Sequence, residues 1–137
     1  MCYQFDTWSG WGAAMISYVT VGTNDLARAA RFYDELLTIL GARRVWEMDR
    51  SIGWSTSRDA PAFSVIKPYD GRLASVGNGS MTALAATSKD LVDAVHRKAL
   101  DLGATDEGAA GPRGERFYAG YFRDLDGNKL SIFHETA

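Results

Sequence analysis

The same order of predicted strands and helices occurs twice in this sequence, and this repetition restricts the possible folds more than any other feature. Residues 15–22 are β-branched and alternate in polarity, which predicts a strand. Thr23 or Asn24 then provides an N-cap for a helix over about 25–40, where apolar residues have helical spacing. Three short strand candidates follow, with prolines and an Asp-Gly pair between and after them. They cover residues 43–48, 52–57 and 62–67.

The second half of the chain predicts the same succession. Residues 80–86 indicate a strand, and Thr87 or Ser88 caps a helix that extends to about Leu102. The polar, glycine-rich stretch 104–116 leaves two alternatives open, a short strand or a mobile loop over a site.

Equivalent positions in the two halves agree in character. Val21 corresponds to Leu84, and Ser64 corresponds to Ser131. Few residues are identical, but the element order and the apolar pattern match, which predicts a duplicated βαβββ unit. One helix covers only one face of a sheet, so neither unit could bury its sheet alone. We therefore predict a single α+β domain. It comprises residues 15–137, with module 1 at about 15–70, a linker at 71–79 and module 2 at about 80–135.

The chain closes with a predicted hairpin over residues 118–134. Its turn, Asp124-Leu-Asp-Gly-Asn128, contains an Asp-Gly pair that tolerates the positive φ angles of tight turns. Because side chains alternate along a strand, Ser131 and Phe133 are predicted on one face and His134 on the other.

Several of these motifs together resemble the vicinal oxygen chelate superfamily, which includes glyoxalase I, bleomycin-resistance proteins and extradiol dioxygenases. The opening strand, with Asn24-Asp-Leu26 and Ala30-Arg-Phe-Tyr33 after it, is similar to the start of such proteins. Asp124–Leu130 resembles their Asp-Pro-Asp-Gly-Asn turn, with Leu125 in place of proline. The likeness extends from Met15 to about Glu135. It implies two βαβββ modules that form a curved mixed sheet around a cleft, with helices outside, and it implies a homodimer.

In metal-dependent members of this superfamily, the first and last strands of each module bind a divalent ion. The resemblance transfers these ligand positions to Tyr18, Ser64, Met81 and Ser131. None is a customary ligand, because neutral hydroxyls bind hard dications weakly and a thioether prefers soft ions. We therefore expect no metal cofactor.

A metal site with other ligands remains the alternative. Nickel, zinc, iron or manganese would then be bound by His134, Glu47 or Glu135. The predicted orientation of His134 favours a structural histidine with a hydrogen bond instead. His96 lies in the second helix and is expected to be partly exposed rather than catalytic.

The residues expected around the cleft are apolar, aromatic and hydroxyl-bearing, which is typical of a pocket for a small molecule. The same side chains could instead fill the core between two curved sheets. Arg44, Arg58, Arg113 and Arg116 could bind an anionic group of a ligand, or they could be scattered surface residues. The predicted cleft residues are Tyr18, Trp46, Trp54, Ser64, Met81, Tyr121, Ser131 and Phe133.

Composition excludes several other classes of function. Hydrophobic residues make up 46% of the chain, as in an ordinary globular protein. The net charge is −2 and the basic residues are scattered, so nucleic acid is not an expected partner. No apolar run approaches the roughly 20 residues that span a bilayer. Cys2 is the single cysteine, which excludes an intrachain disulfide. No signal-peptide pattern occurs in the first fourteen residues, so we expect a cytoplasmic protein without membrane partners.

Residues 1–14 form a predicted N-terminal extension without clear periodicity. Its Trp8 and Trp11 either pack on the body or a partner chain, or belong to a terminus that folds onto nothing.

Taken together, the sequence predicts a protein that binds a small apolar or aromatic molecule without a catalytic metal. A first alternative is a metal-dependent lyase, isomerase or dioxygenase of the same superfamily with non-standard ligands. A second is a non-catalytic interaction module whose cleft is filled. The sequence leaves open whether the protein is an enzyme.

Overall fold

A computed structural model describes residues 14–136 of the chain, and these contain eight strands and two α-helices. The helices are α1 (Leu26–Leu37), which continues into a 3-10 turn over Thr38–Leu40, and α2 (Lys89–Asp101). The strands are β1 (Tyr18–Gly22), β2 (Arg43–Glu47), β3 (Ser51–Ser55), β4 (Ala62–Ile66), β5 (Thr82–Ala85), β6 (Thr105–Arg113), β7 (Phe117–Arg123) and β8 (Lys129–Glu135). Trp8 and Trp11 lie outside the described residues.

The strands form two four-stranded mixed sheets with the same topology. Their orders are β1-β4-β3-β2 and β5-β8-β7-β6. The first strand of each module is parallel to the last strand, and the other neighbours are antiparallel. This arrangement confirms the predicted α+β fold with two βαβββ modules. The stretch 104–116, left open by its composition, contains β6, a strand of nine residues.

The helices begin at polar caps, but the first cap differs from the prediction. The side chain of Asp25, rather than Thr23 or Asn24, accepts a hydrogen bond from the backbone of Arg28 at 3.0 Å. Thr23 is buried and instead donates its hydroxyl to Asp126 of module 2 at 2.7 Å. Its side chain therefore serves the contact between modules and is not free to cap the helix.

The core lies between each helix and one face of its sheet. Strand residues at every second position contribute to it, as period-two alternation requires. Its largest fully buried side chains are Trp54, Tyr33, Phe122, Leu36, Leu130 and Ile132.

The turn between β7 and β8 joins the two modules. The Asn128 amide donates to the carbonyl of Gly22 at 2.8 Å, and the Tyr33 hydroxyl donates to Asp124 at 2.5 Å. Gly127 in this turn has a φ of 89°, a value that glycine adopts without strain. The turn motif found in the sequence therefore holds module 2 against the start of module 1.

Candidate functional site

The face of each sheet that is turned away from its helix, here called the cleft face, carries most of the predicted site residues. In module 1, a row of paired residues crosses this face from one edge to the other. In module 2, an equivalent row crosses the second sheet. The first row is Thr20, Ser64, Gly53 and Trp46. The second row is Ala83, Ser131, Tyr121 and Gly108.

Module 1 covers its own cleft face with Trp46. A Cβ atom placed on Gly53 would lie 2.5 Å from ring atoms of Trp46, so the indole lies directly over that glycine. The indole nitrogen donates to Ser51 Oγ at 3.1 Å, and the ring lies 5.4 Å from that of Tyr18 in an edge-to-face arrangement. Ser64 is fully buried and donates its hydroxyl to the carbonyl of Val19. The centre of this face is therefore occupied by the protein itself.

In module 2, the large aromatic residue and the glycine are exchanged between the two equivalent strands. Glycine (Gly108) stands on β6 where module 1 has Trp46, and Tyr121 stands on β7 where module 1 has Gly53. A Cβ atom on Gly108 would lie 3.2 Å from the Tyr121 ring. Each module thus places one aromatic ring beside one glycine, but on different strands.

Two cations and two further aromatic rings accompany Tyr121. The guanidinium of Arg113 and the ammonium of Lys129 each lie 5.6 Å from the centroid of its ring. Phe117 and Phe133 stack at 5.2 Å between centroids with 15° between their planes. This face therefore combines aromatic surface with positive charge.

His96 supports Tyr121 from the opposite face of the sheet. The prediction that His96 is partly exposed is wrong, because His96 is only 6% exposed and its ring lies against Gly120. Its Nε2 atom lies 3.2 Å from both the carbonyl of Tyr121 and the carboxylate of Asp106. Since both neighbours accept hydrogen bonds, Nε2 must carry a proton.

Asp106 also fixes the strand next to Tyr121. The backbone N–H of Gly108 donates to its carboxylate at 2.9 Å. This hydrogen bond lowers the pKa of Asp106 from its ordinary value, and the neighbouring His96 lowers it further. The sequence offered no signal for this contact, because it depends on the irregular register between β6 and β7.

A cavity of about 500 Å³ lies where module 2 meets the linker, and this volume is within the range of pockets for small ligands. Met81, Lys129 and Arg123 line it together with residues 76–80. A smaller cavity of about 110 Å³ adjoins Thr20 of β1 and also borders Met81 and Lys129. Lys129 therefore borders both the cavity and the ring of Tyr121.

The four positions that correspond to the superfamily's metal ligands do not fit a divalent ion. The hydroxyl of Ser64 is engaged by a backbone carbonyl, and Tyr18 is 57% exposed beside Trp46. Met81 and Ser131 offer a thioether and a neutral hydroxyl, which are poor ligands for hard dications. Between residues 14 and 136, no three His, Cys, Asp or Glu side chains are placed to hold a metal ion.

The three alternative metal ligands point to different places. His134 lies on the helix-facing side of β8, as alternation predicted, and its Nδ1 atom lies 2.9 Å from the carbonyl of Ala86. Glu47 forms an ion pair with Arg44 at the end of β2. Glu135 pairs opposite Phe117 at the far end of β8. They cannot share one ion in this fold.

Trp54 does not belong to the cleft, contrary to the prediction. It is 2% exposed on the helix-facing side of β3, and its indole nitrogen donates to Asp34 of α1 at 2.8 Å. The adjacent Gly53 takes the cleft position. Because side chains alternate along β3, a cleft position for Gly53 places Trp54 on the helix-facing side. The irregular register between Arg44 and Trp46 obscured which of the two tryptophans faces the cleft.

Of the four arginines considered for an anionic group, Arg44 is already neutralised. Its guanidinium binds both carboxylate oxygens of Asp34, at 2.9 and 2.6 Å, and also contacts Glu47. Arg116 donates to the carbonyl of Thr136 at 3.2 Å, close to the end of the chain. Arg113 is the member of this group that lies beside the predicted cleft residue Tyr121.

Comparison with known proteins identifies the family. The model of the glyoxalase/bleomycin resistance protein/dioxygenase superfamily matches residues 15–132. The chain belongs to this superfamily, as the motifs in the sequence predicted.

Solved structures support the assignment. A glyoxalase/bleomycin resistance protein from Albidiferax ferrireducens T118 is 36% identical, with a TM-score of 0.82 over 89% of this chain and 99% of that chain. A lactoylglutathione lyase from Agrobacterium tumefaciens is 19% identical, with a TM-score of 0.65 over 88% and 92% of the two chains, and so shares the fold. TioX from Micromonospora sp. ML1 is 16% identical, with a TM-score of 0.60 over 89% and 99%. No curated protein sequence matches the chain.

Neither α-helix within residues 14–136 combines the length and the apolar character needed to cross a membrane.

Proposed function

We propose that this protein binds a small apolar or aromatic molecule at its cleft faces without using a catalytic metal. The observation that carries the proposal is the aromatic surface of Tyr121, Phe117 and Phe133 on the cleft face of module 2. Lys129 lies beside the Tyr121 ring and also lines a cavity of about 500 Å³. Aromatic walls with a few polar groups are the usual make-up of a ligand pocket. Ser131 adds a hydroxyl to the same row as Tyr121.

The donor set supports the metal-free part of the proposal. A divalent site in this superfamily would draw on Tyr18, Ser64, Met81 and Ser131, and these side chains have the wrong chemistry for it. A metal-dependent lyase, isomerase or dioxygenase would need ligands from outside these positions. The name of the Agrobacterium relative refers to lyase activity, which belongs to that protein.

A filled cleft is the second candidate, and one observation favours it in module 1. Trp46 lies over Gly53 and so takes the place that a ligand would need on that face. An interaction module would be expected to fill both faces in this way. In module 2, the cations of Arg113 and Lys129 beside the Tyr121 ring argue for a ligand instead.

We further propose that the protein works as a homodimer in the cytoplasm. Apolar side chains at the β1 edge and the module joint are unusually exposed for a monomer. Met15, Ile16, Tyr18, Leu73, Val76 and Met81 are 96%, 51%, 57%, 83%, 44% and 47% exposed, respectively. The cytoplasmic location rests on the sequence alone.

Elemental analysis of the purified protein, repeated on a His134→Ala variant, tests the metal-free proposal. We expect no stoichiometric nickel, zinc, iron or manganese in either protein. Stoichiometric metal that disappears in the variant would favour the metal-dependent alternative. Thermal-shift measurements with aromatic small molecules test binding in parallel, since a ligand of the folded state must raise the melting temperature.

A further inference from the structure

We propose that the ligand is an aromatic molecule with a negatively charged group, such as a carboxylate, and that it binds to the cleft face of module 2. This inference rests on the proposed function and assigns the chemical class of its ligand. The ring would lie against Tyr121, and the anionic group would be held by Arg113 and Lys129.

The difference between the two modules locates the ligand. In each module an aromatic ring lies beside a glycine, Trp46 beside Gly53 and Tyr121 beside Gly108. The two rings have different neighbours, since Trp46 contacts Ser51 and Tyr18, whereas Tyr121 has the cations of Arg113 and Lys129 beside it. Module 2 is therefore the face that attracts an anionic aromatic ligand.

Arg113 and Lys129 form no ion pair within the part of the chain that the structure describes. Arg44, Arg123 and Arg28 each form an ion pair with a carboxylate. In contrast, Arg113 donates only to the carbonyls of Pro112 and Ala109 among residues 14–136, and no carboxylate of these residues pairs with Lys129.

Two cations beside one aromatic ring suit a particular ligand chemistry. Arg113 and Lys129 each lie 5.6 Å from the centroid of the Tyr121 ring, so an anionic group bound beside this ring is attracted by both charges. A guanidinium binds a planar carboxylate through two parallel hydrogen bonds, and an ammonium adds a point charge. A cationic ligand would be repelled, and a neutral one would leave both charges uncompensated.

The cavity at the module joint extends the site. Lys129 lines this cavity, and Arg123 at its wall is held by Glu107 at 2.5 Å and by the carbonyl of Gly127 at 3.0 Å. The guanidinium of Arg123 is therefore bound within the protein, while Lys129 lies beside both the cavity and Tyr121. A ligand larger than one ring could extend from Tyr121 past Lys129 into this space.

A pair of matched probes tests the inference. Naphthalene-2-carboxylate and naphthalene-2-carboxamide have nearly the same shape and differ in charge. Isothermal titration calorimetry of the full chain should give a dissociation constant at least about tenfold lower for the carboxylate, as expected for hydrogen bonds between charged groups. Amide shifts in a nitrogen-15 NMR titration should change at Gly108, Tyr121 and Ser131 rather than at Gly53 and Ser64.

Three variants separate the contributions of charge and ring. Arg113→Gln with Lys129→Gln should remove the preference for the carboxylate, so that the two probes bind with equal affinity. Tyr121→Leu should weaken both probes. Lys89→Gln is the matched control, because its ammonium lies 5.7 Å from the Tyr118 ring in a similar contact on the helix-facing side of β7, and it should bind both probes as the wild type does.

The outcomes distinguish the inference from the proposed function. Equal affinity for the two probes, or shift changes confined to module 1, would overturn the anionic-ligand inference while small-molecule binding stands. A carboxylate preference that survives the double substitution would overturn the role of Arg113 and Lys129. Binding of neither probe would contradict the proposed function and this inference together.

Discussion

Tyr33 donates its hydroxyl to the carboxylate of Asp124 at 2.5 Å, and this hydrogen bond joins α1 of module 1 to the closing turn of module 2. Both residues are buried. Asp124 also accepts the backbone N–H groups of Asp126 and Asn128 and the Asn128 amide, at 2.9, 2.9 and 3.0 Å. Every acceptor position of this carboxylate is therefore used, and the contact holds the two modules in a fixed relation.

Removal of this hydroxyl should weaken the joint between the modules. Tyr33→Phe keeps the ring in the core but leaves one oxygen of Asp124 with a single donor. We expect the free energy of unfolding to fall by about 1–3 kcal/mol, the range for a lost hydrogen bond to a buried charged group. Urea denaturation monitored by circular dichroism measures this change in the free energy of unfolding.

Tyr118→Phe is the matched control for that substitution. Tyr118 donates to Asp93 at 2.6 Å, so it loses the same type of hydrogen bond, but at a more exposed place within one module. Its loss of stability should be clearly smaller. Equal losses in the two variants would contradict a special role for the Tyr33–Asp124 contact.

The same contact predicts a dependence of stability on alkaline pH. Burial raises the pKa of Tyr33 well above 10.0, and the charge of Asp124 raises it further. A raised pKa in the folded state means that folding favours the protonated hydroxyl. Its contribution is thus complete below about pH 10 and is lost as the pH rises through the folded-state pKa.

Denaturation curves between about pH 9 and about pH 11 test this dependence. The wild type should lose stability across this range more steeply than Tyr33→Phe. The variant should retain a shallower slope, because the hydrogen bond to Asp93 also raises the pKa of Tyr118. Parallel curves for the two proteins would contradict the assignment to Tyr33.

An acid-side dependence is predicted at the contact between α1 and β2. Hydrogen bonds from Arg44 lower the pKa of Asp34 below its ordinary value of 3.8. The stability from this pair should be present above about pH 4 and decline as the pH falls through the lowered pKa. Asp34→Asn should lower the free energy of unfolding modestly at pH 7. Below about pH 4, the stability of the variant should fall less steeply with pH than that of the wild type. Equal slopes for the two proteins in this acid range would contradict the prediction.

The packing of Trp46 on Gly53 predicts strong coupling between these positions. Gly53→Ala would place a methyl group 2.5 Å from the indole, so the ring must move, at a cost of about 1–3 kcal/mol. In the double variant with Trp46→Ala the clash is absent. The free energies of the single and double variants should therefore be non-additive by at least about 0.5 kcal/mol.

Gly111→Ala serves as the control for this cycle. Its added Cβ would meet only the side chain of Arg113, at an ordinary contact distance of 3.5 Å. Stability should change by no more than about 0.5 kcal/mol. Additive behaviour of Gly53→Ala and Trp46→Ala would mean that Trp46 does not lie over Gly53 in solution.

The fold was predictable because its signals are local. Alternation, helical spacing and the Asp-Gly turn marked nearly all elements, and alternation in β8 correctly separated Ser131 from His134. The pairing between strands was not accessible in the same way. Trp54 was assigned to the wrong face, and the burial of His96 was missed, because both depend on contacts with distant residues.

The reversed arrangement of large and small residues in the two cleft faces also lay beyond the sequence. It requires knowing that Gly53 is equivalent to Tyr121 and that Trp46 is equivalent to Gly108, and only the register of the sheets establishes this. The irregular pairing of β2 and β6 shifts these positions relative to a simple alignment of the halves. A site built on such pairs appears only when the strands are placed side by side.

Calorimetric titration of chelator-treated protein with naphthalene-2-carboxylate tests the central claim, metal-independent binding of an aromatic molecule, most directly. We predict the same dissociation constant before and after treatment with an excess of EDTA, because no step of binding uses a divalent ion. Loss of binding after EDTA, with recovery on addition of nickel, zinc, iron or manganese, would contradict the claim.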